Sequence, residues 1–183
     1  MTHNSKSQDL ESLYREHKDM VFRVCMRFGR GDSEWAMDRL QEVFLRLAER
    51  WELLPDIDNY KAFIYRTTMN LCINNVRRKK NIFHLMSRFF APGKEIHTAV
   101  GTALREPDGA AEDKENLRLM DDAIGQLAPK QRAVIIMYYF EDIEIPAIAT
   151  ILGVNKGTVS RRLKAGREQL ADILGKGWFN DHD

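Results

Sequence analysis

Residues 145–170 read IPAIATILGVNKGTVSRRLKAGREQL and contain two helical periodicities separated by a few residues around Gly153. The first half repeats apolar residues at helical spacing, and glycine readily adopts the positive φ of a tight turn. Asn155 is a suitable N-cap for a second helix. The inward face of that helix is expected to carry Val159, Leu163 and Leu170. The stretch therefore predicts a helix-turn-helix.

The outer face of the second helix is strongly basic. Between Gly153 and Gln169 there are five basic residues and a single acid, Glu168. A basic helix can be no more than a solvated face, but here small Ala149 stands where two helices would cross, and a glycine turn follows it. Because a helix of this kind fits the major groove, the pattern indicates DNA binding. The basic residues are Lys156, Arg161, Arg162, Lys164 and Arg167.

Length and charge favour two small domains. The chain has 183 residues, 44% of them hydrophobic, and a formal net charge of only +1. That total conceals a pattern, because the net charge is +3 over residues 1–80, −2 over 81–115 and 0 over 116–183. The near-neutral total is therefore compatible with a nucleic-acid partner.

Several classes of protein are disfavoured by what the chain lacks. The two cysteines, Cys25 and Cys72, lie in helical patterns and are expected to be buried free thiols, as suits a reducing cytoplasm. The histidines are never paired with cysteine at ligand spacing, and no phosphate-binding loop or nucleophile motif is present, so we expect no metal, no cofactor and no enzyme. No signal peptide or membrane span is visible, so we expect a cytoplasmic protein without membrane insertion.

Three helices are predicted before residue 81. The first ends at Gly29–Gly31, and the second is capped by Asp32 or Ser33. The apolar stripe of the second helix is expected to comprise Met37, Leu40, Phe44, Leu47, Trp51 and Leu54.

The third helix is expected to run from about Tyr60 to Lys80 and has an unusual composition. It begins with aromatic and polar residues and ends with four consecutive cations at residues 77–80. Cations at a helix C-terminus complement the helix dipole, but four in a row exceed what capping needs. Aromatic, amide and cationic groups together can stack exposed bases and hold phosphates.

The middle of the chain changes character. Residues 82–90 are apolar and either pack on the first domain or await a partner, whereas residues 91–113 have the proline, glycine and small polar residues of a linker. A second domain of four helices is expected from about Asn116, with Pro129 opening its second helix and Gly175 ending its last.

Three stretches, in this order, carry a resemblance to a known family. They are DRLQEVFLRL at 38–47, AFIYRTTMNL at 62–71 with its RRKK tail, and LAPKQRAV at 127–134 followed by ATILGVNKGTVSRRL at 149–163. The chain resembles the sigma-70 family of bacterial RNA polymerase sigma factors, in particular the extracytoplasmic function (ECF) group. The resemblance implies an all-α fold, with a sigma-2 bundle of three or four helices at 1–80, a linker at 81–115 and a sigma-4 helix-turn-helix domain at 116–183.

The resemblance also implies a function, which is to bind core RNA polymerase and direct promoter-specific initiation. The implied partners are the β′ clamp and β flap of the polymerase, promoter DNA and an anti-sigma factor. Residues implied to bind the β′ clamp are Asp38, Gln41, Glu42 and Leu45. Residues implied to melt and read the minus-ten element are Asn59, Tyr60, Phe63, Asn70, Asn74, Arg77 and Arg78. Residues implied to read the minus-thirty-five element are Lys156, Thr158, Ser160, Arg161, Arg162, Lys164, Ala165 and Arg167.

The sequence departs from the family pattern at a few positions. Phe63 stands where many ECF members have tryptophan, which leaves both base stacking and a core role open. Glu144 replaces the usual Ser or Thr cap, and Gly166 places a flexible residue in mid-helix, at a cost of about 1 kcal/mol relative to alanine.

Two rival functions are a stand-alone helix-turn-helix regulator with a helical sensor domain and a helical adaptor that binds only protein. Neither explains two separated basic surfaces, one of them rich in asparagine.

Overall fold

The computed structural model describes residues 3–51, 59–89 and 111–175, and within these ranges the secondary structure is entirely helical. The predicted all-α class with two small helical domains is confirmed. The helices are α1 (His3–Phe28), α2 (Ser33–Arg50), α3 (Tyr60–Phe89), α4 (Ala111–Gln126), α5 (Pro129–Ile135), α6 (Ile145–Leu152) and α7 (Lys156–Leu174).

The first domain is formed by α1, α2 and α3. The buried face of α2 includes Leu40, Phe44 and Leu47, as predicted, but not Met37. Asp32 caps α2 by accepting a hydrogen bond from the Trp35 backbone N–H at 2.9 Å. The Trp35 ring then packs against Gly29, where an added Cβ would lie 2.6 Å from it, so Trp35 occupies the core. Met37, predicted to be buried, is consequently 44% exposed. The buried residues of α2 are Trp35, Ala36, Leu40, Val43, Phe44 and Leu47.

Helix α3 is longer than predicted. It continues past Lys80 to Phe89 and so includes the beginning of the predicted linker. The reason is local, because neither proline nor glycine occurs between Tyr60 and Phe89, and a run of cations does not interrupt a helix. Leu54, most of the predicted turn at 54–59 and the two alternatives for the apolar side chains of 82–90 lie outside the described residues.

The thiols of Cys25 and Cys72 lie in the core between α1 and α3. Both are buried and free, as predicted, with their sulfur atoms 3.8 Å apart. Burial raises the pKa of the Cys72 thiol well above its ordinary value. The Cys72 thiol is therefore a protonated packing group at neutral pH.

The second domain is formed by α4 to α7. Its first helix begins at Ala111, inside the predicted linker and before the expected start near Asn116, because neither proline nor glycine occurs from Ala111 to Ile124. The helix opened by Pro129 changes at Ile136–Phe140 into a π-helical turn, in which the Glu141 N–H donates to the Ile136 carbonyl at 3.2 Å. Helix α6 begins after Glu144, which makes no side-chain capping bond, and ends at Gly153 with φ 63°.

The two domains pack against each other, with α1 and α3 of the first contacting α4, α5 and α6 of the second. Arg132 is 3% exposed and lies in this interface, where it donates to the Phe28 carbonyl at 2.8 Å and to the Gly125 carbonyl. Burial lowers the pKa of Arg132 to about 10, which still leaves it charged at neutral pH. The linker predicted between the two domains does not indicate that the domains contact each other.

Candidate nucleic-acid interface

Helix α7 is held in a fixed orientation by its cap and its buried face. The Asn155 side chain accepts a hydrogen bond from the Thr158 N–H at 2.7 Å. Val159, Leu163 and Leu170 are buried, as predicted. Gly166 is buried as well, and a Cβ added there would lie 2.9 Å from Cγ1 of Ile135. The mid-helix glycine therefore permits close packing of α7 on α5, so its intrinsic helical cost is offset by a closer contact.

The opposite side of α7, which we call the recognition face, projects toward solvent. Lys156, Ser160, Arg161 and Lys164 are exposed, while Arg162 and Arg167 are half-buried on its two edges. Thr158 and Ala165 are half-buried between the exposed positions.

The cations of the recognition face are mostly uncompensated. Lys164 lies 3.9 Å from Glu168, and Arg161 donates weakly to the Thr158 hydroxyl at 3.4 Å. Among the described residues, no carboxylate is within ion-pair distance of Lys156, Arg162 or Arg167. A convex helix with free cations can enter a major groove and exchange its counterions for phosphates.

A second candidate surface is concave and lies between α2 and α3; we call it the α2–α3 groove. Its first part is a hollow of about 590 Å³, and its second part is an adjoining hollow of about 360 Å³ that shares Arg46. The first hollow is lined by Arg46, Leu47, Glu49, Arg50, Phe63, Arg66, Thr67 and Asn70. The second is lined by Glu42, Arg46, Leu71, Asn74, Asn75, Arg77, Arg78 and Asn81.

Most of the residues implied for the minus-ten element line this groove. Phe63 and Asn70 line the first hollow, and Asn74, Arg77 and Arg78 line the second. Phe63 is half-buried: it packs partly against the hydrophobic core and also lines the first hollow.

Asn59 and Tyr60, by contrast, already make structural contacts. The Asn59 side chain caps α3 by accepting from the Ala62 N–H at 2.9 Å. Tyr60 stacks on Trp51 with ring centroids 5.8 Å apart, so these two rings hold the end of α2 against the start of α3. Neither residue is among those that line the two hollows.

Sequence reasoning missed the cations that α2 contributes to the groove. Arg46 and Arg50 are four residues apart and therefore share a face of α2. Arg66 and Thr67 of α3 join them in the first hollow. The spacing of the α2 arginines was visible in the sequence, but only the packing shows that this face meets α3.

The residues implied for polymerase binding lie on another side of α2. Asp38, Gln41 and Leu45 are exposed, and Leu45 is 61% exposed. Glu42 is half-buried and pairs with Arg39 at 3.1 Å and with Arg46 at 2.6 Å. Glu42 thus supports the groove as well as bordering the exposed patch.

Arg39 connects α2 to α3. Its guanidinium donates to the Asn75 side-chain oxygen at 2.6 Å, and Asn75 in turn donates to the Leu71 carbonyl at 3.0 Å. These bonds fix the distance between the helices that form the groove.

Within the described residues, His, Cys, Asp and Glu side chains form no cluster of three that could hold a metal, and no helix has the length and apolar character needed to cross a membrane.

The fold and these surfaces define a two-domain helical DNA-binding protein. Two family models match the chain, "Sigma-70 region 2" over residues 13–82 and "Sigma-70, region 4" over residues 117–170. The chain belongs to the sigma-70 family, and its curated relatives place it in the ECF group. It is a sigma factor, a non-catalytic protein that directs transcription initiation, and this membership implies RNA polymerase and promoter DNA as partners.

Individual relatives agree with this assignment. The ECF RNA polymerase sigma factor SigW of Bacillus subtilis is 28% identical over 91% of this chain and 87% of its own length. SigE of Mycolicibacterium smegmatis is 30% identical over 91% of this chain, which spans 62% of that relative. A solved structure of the sigma factor RpoE with the anti-sigma factor NepR from Bartonella quintana has 18% identity and a TM-score of 0.65, covering 91% of this chain and 97% of that one. At that identity the likeness supports the fold.

Proposed function

We propose that the two surfaces divide promoter recognition between them. The recognition face of α7 reads the minus-thirty-five element as duplex, and the α2–α3 groove captures the separated strand of the minus-ten element. The observation that carries this proposal is the difference in shape, because one surface is a convex helix with uncompensated cations and the other is a groove with an aromatic ring, amides and arginines. Bases must leave the stack before a groove of the second kind can hold them.

The exposed patch of α2 formed by Asp38, Gln41 and Leu45 is the proposed docking site for the polymerase β′ clamp, with Glu42 at its border. Its charge is unsuited to phosphate, and an exposed leucine among polar residues suits a protein contact. The second domain is proposed to contact the β flap. We assign the two domains to residues 1–80 and 116–183. We also propose that the protein works in the cytoplasm, because it acts on polymerase and promoter.

An anti-sigma partner is part of the same proposal. Its support is that the solved relative from Bartonella quintana was obtained as a complex with an anti-sigma factor. Copurification of the full chain with a candidate anti-sigma protein, and loss of transcription when that protein is added, would test this component.

In vitro transcription with purified core polymerase tests the main proposal. We expect transcripts from a specific subset of a promoter library only when the chain is added. The Arg118→Ala variant should give the same transcripts as the unmodified chain, because Arg118 is an exposed arginine on α4 outside both surfaces. A chain that binds a DNA site alone and never makes core polymerase initiate would instead be a stand-alone regulator.

A further inference from the structure

Three arginines line the first hollow of the α2–α3 groove, and they differ in how their charges are compensated. Among the described residues, Arg50 and Arg66 have no carboxylate within ion-pair distance, whereas Nη2 of Arg46 lies 2.6 Å from Oε1 of Glu42. Arg46 also lines both hollows. A strand that occupies the two hollows in turn must pass Arg46, so this guanidinium is placed to meet a phosphate of that strand.

Glu42 is held from its inner side by Arg39. The Oε2 atom of Glu42 lies 3.1 Å from Nη1 of Arg39, and the same nitrogen donates to the Asn75 side-chain oxygen at 2.6 Å. Only 19% of the Arg39 side chain is exposed, and its guanidinium lies 5.8 Å from the centre of the Trp35 ring. Arg39 therefore makes its contacts inside the domain, and it fixes the position of the Glu42 carboxylate.

Arg46 is the member of the pair that can move. Its side chain is 52% exposed, against 29% for Glu42, and it has no other hydrogen bond or ion pair among the described residues. An exposed ion pair between neighbouring turns of a helix contributes little to stability, so Arg46 can leave it at small cost. A phosphate offers a guanidinium the same charge-assisted contact that a carboxylate does. Glu42 and a strand phosphate are therefore competing acceptors for Arg46.

We propose that Arg46 is a further strand-binding residue of the α2–α3 groove and that Glu42 is the positioning residue that limits how much of the Arg46 charge a strand can use. This inference rests on the proposal that the groove captures the separated strand of the minus-ten element. When a strand binds, Arg46 exchanges Glu42 for a phosphate, and the carboxylate keeps Arg39 alone. Because one ion pair is lost as the other forms, the groove binds a single strand less tightly than its number of arginines suggests.

Binding of a fluorescein-labelled single-stranded DNA of random sequence to the full chain tests this exchange, and fluorescence anisotropy measures it. Glu42→Gln keeps the size of the side chain and removes its charge. We expect it to raise strand affinity about three- to fivefold, as release of an exposed ion pair implies. Arg46→Ala should lower the strand affinity of the parent chain about threefold, because one phosphate contact is lost.

Glu49→Gln is the matched control for net charge. Glu49 lines the first hollow as Glu42 lines the second, and no arginine or lysine among the described residues is within ion-pair distance of it. The change should alter strand affinity by less than about twofold, because it removes a solvated charge and releases no guanidinium. Equal gains from Glu42→Gln and Glu49→Gln would mean that net charge alone sets the affinity, and would overturn the role of Glu42.

Two further readouts would not respond to a merely structural role of Glu42. In an Arg46→Ala background, Glu42→Gln should no longer raise strand affinity, because there is no guanidinium to release. In the otherwise unchanged chain, Glu42→Gln should steepen the slope of log affinity against log salt by about 0.7, since one more phosphate contact then releases its counterion without loss of an ion pair.

A gain of the same size in both backgrounds, or a strand affinity that does not depend on Arg46, would overturn the proposal. Because Arg46 is half exposed, its replacement should leave the fold intact, which circular dichroism can verify. The Arg46→Ala result therefore decides the matter even if Glu42→Gln loosens the packing of α2.

The strand assay contains no polymerase, so its outcome can be told apart from that of the proposed function. If Arg46 controls strand affinity but the chain never makes core polymerase initiate, the proposed function fails and the strand-binding role of Arg46 stands. If the chain initiates from specific promoters while Arg46→Ala changes neither strand affinity nor promoter opening, the role of Arg46 fails and the proposed function stands.

Discussion

Helix α7 and the α2–α3 groove both carry arginines, but they present them in opposite ways. On α7, buried Val159 and Leu163 fix which side chains face outward, so the cations stand on a rigid convex surface. In the groove, Arg46 from α2 and Arg77 from α3 face a shared hollow. A convex helix can reach base edges in intact duplex, whereas a hollow needs a base that has left the stack. Shape therefore separates two surfaces that composition alone would group together.

The largest effect is expected from removing the cations at the far end of the groove. Arg77→Ala with Arg78→Ala should weaken the open promoter complex by about 2 to 4 kcal/mol, because two charge-assisted contacts to the separated strand are lost. Permanganate reactivity of unpaired thymines measures opening, and gel shift of the closed complex measures initial binding. Loss of opening should exceed loss of closed binding. Equal losses at both stages would make these arginines general phosphate contacts and would remove the distinction between the surfaces.

Base specificity should depend on the outermost positions of α7. Arg161→Ala and Lys164→Ala should each reduce discrimination by about 1 to 3 kcal/mol at a single promoter position, because we propose that those side chains contact base edges. Transcription by the holoenzyme from a library randomised at the minus-thirty-five element measures this. Lys156→Ala and Arg162→Ala are the matched controls and should lower output across the library while preferences stay intact. Interchangeable behaviour of the two pairs would mean that α7 is rotated relative to the groove of the DNA.

A third test distinguishes protein docking from DNA binding on α2. Leu45→Glu should weaken binding to core polymerase about tenfold, because it places a charge where an apolar contact is expected. Leu45 is 61% exposed, so the fold should not change, which circular dichroism can verify. Leu119→Glu introduces the same charge at an exposed leucine of α4 and serves as the control. Core affinity that is equally unaffected by both changes would remove the docking assignment from this face.

The smallest effect concerns how α7 is held in place. Gly166→Ala should lower the free energy of unfolding by about 1 kcal/mol, because the new Cβ would press on buried Ile135, and that strain exceeds the gain in helix propensity. Gly157→Ala is the matched control, since a Cβ there would lie 3.6 Å from the nearest atom, the Asn155 side-chain oxygen, and should stabilise the helix slightly. Urea unfolding measures both. Stabilisation by both changes would show that α7 packs less closely on α5.

Local patterns determined most of the helices and the face of α7. The αL turn at Gly153, the cap at Asn155 and the inward Val159 follow from steric and hydrogen-bonding preferences within a few residues, and all three are confirmed. The family was likewise recognisable from three short stretches. The assignment of particular residues to polymerase or to each promoter element remains a prediction.

Other features depend on contacts between segments distant in sequence. The burial of Trp35 at the start of α2 was missed because it depends on packing against Gly29, whereas the spacing of apolar residues alone favoured Met37. Arg46 lies in the α2–α3 groove because α3 packs beside it, which the sequence of α2 alone does not indicate. Gly166 by itself predicts a less stable α7, whereas the structure shows that the absence of a side chain there makes room for Ile135.

The ion pairs between the two domains are the clearest case of what only the tertiary structure decided. Their charged side chains are those of an ordinary solvated helix surface, so nothing local distinguishes Glu141 or Arg23 from other surface charges. The two are 118 residues apart in the chain and form their ion pair only because the two domains pack against each other. Sequence periodicity reports which face of a helix is buried against its neighbours. It does not report pairing between polar faces, because a charge that faces solvent and a charge that faces its partner are written with the same residue.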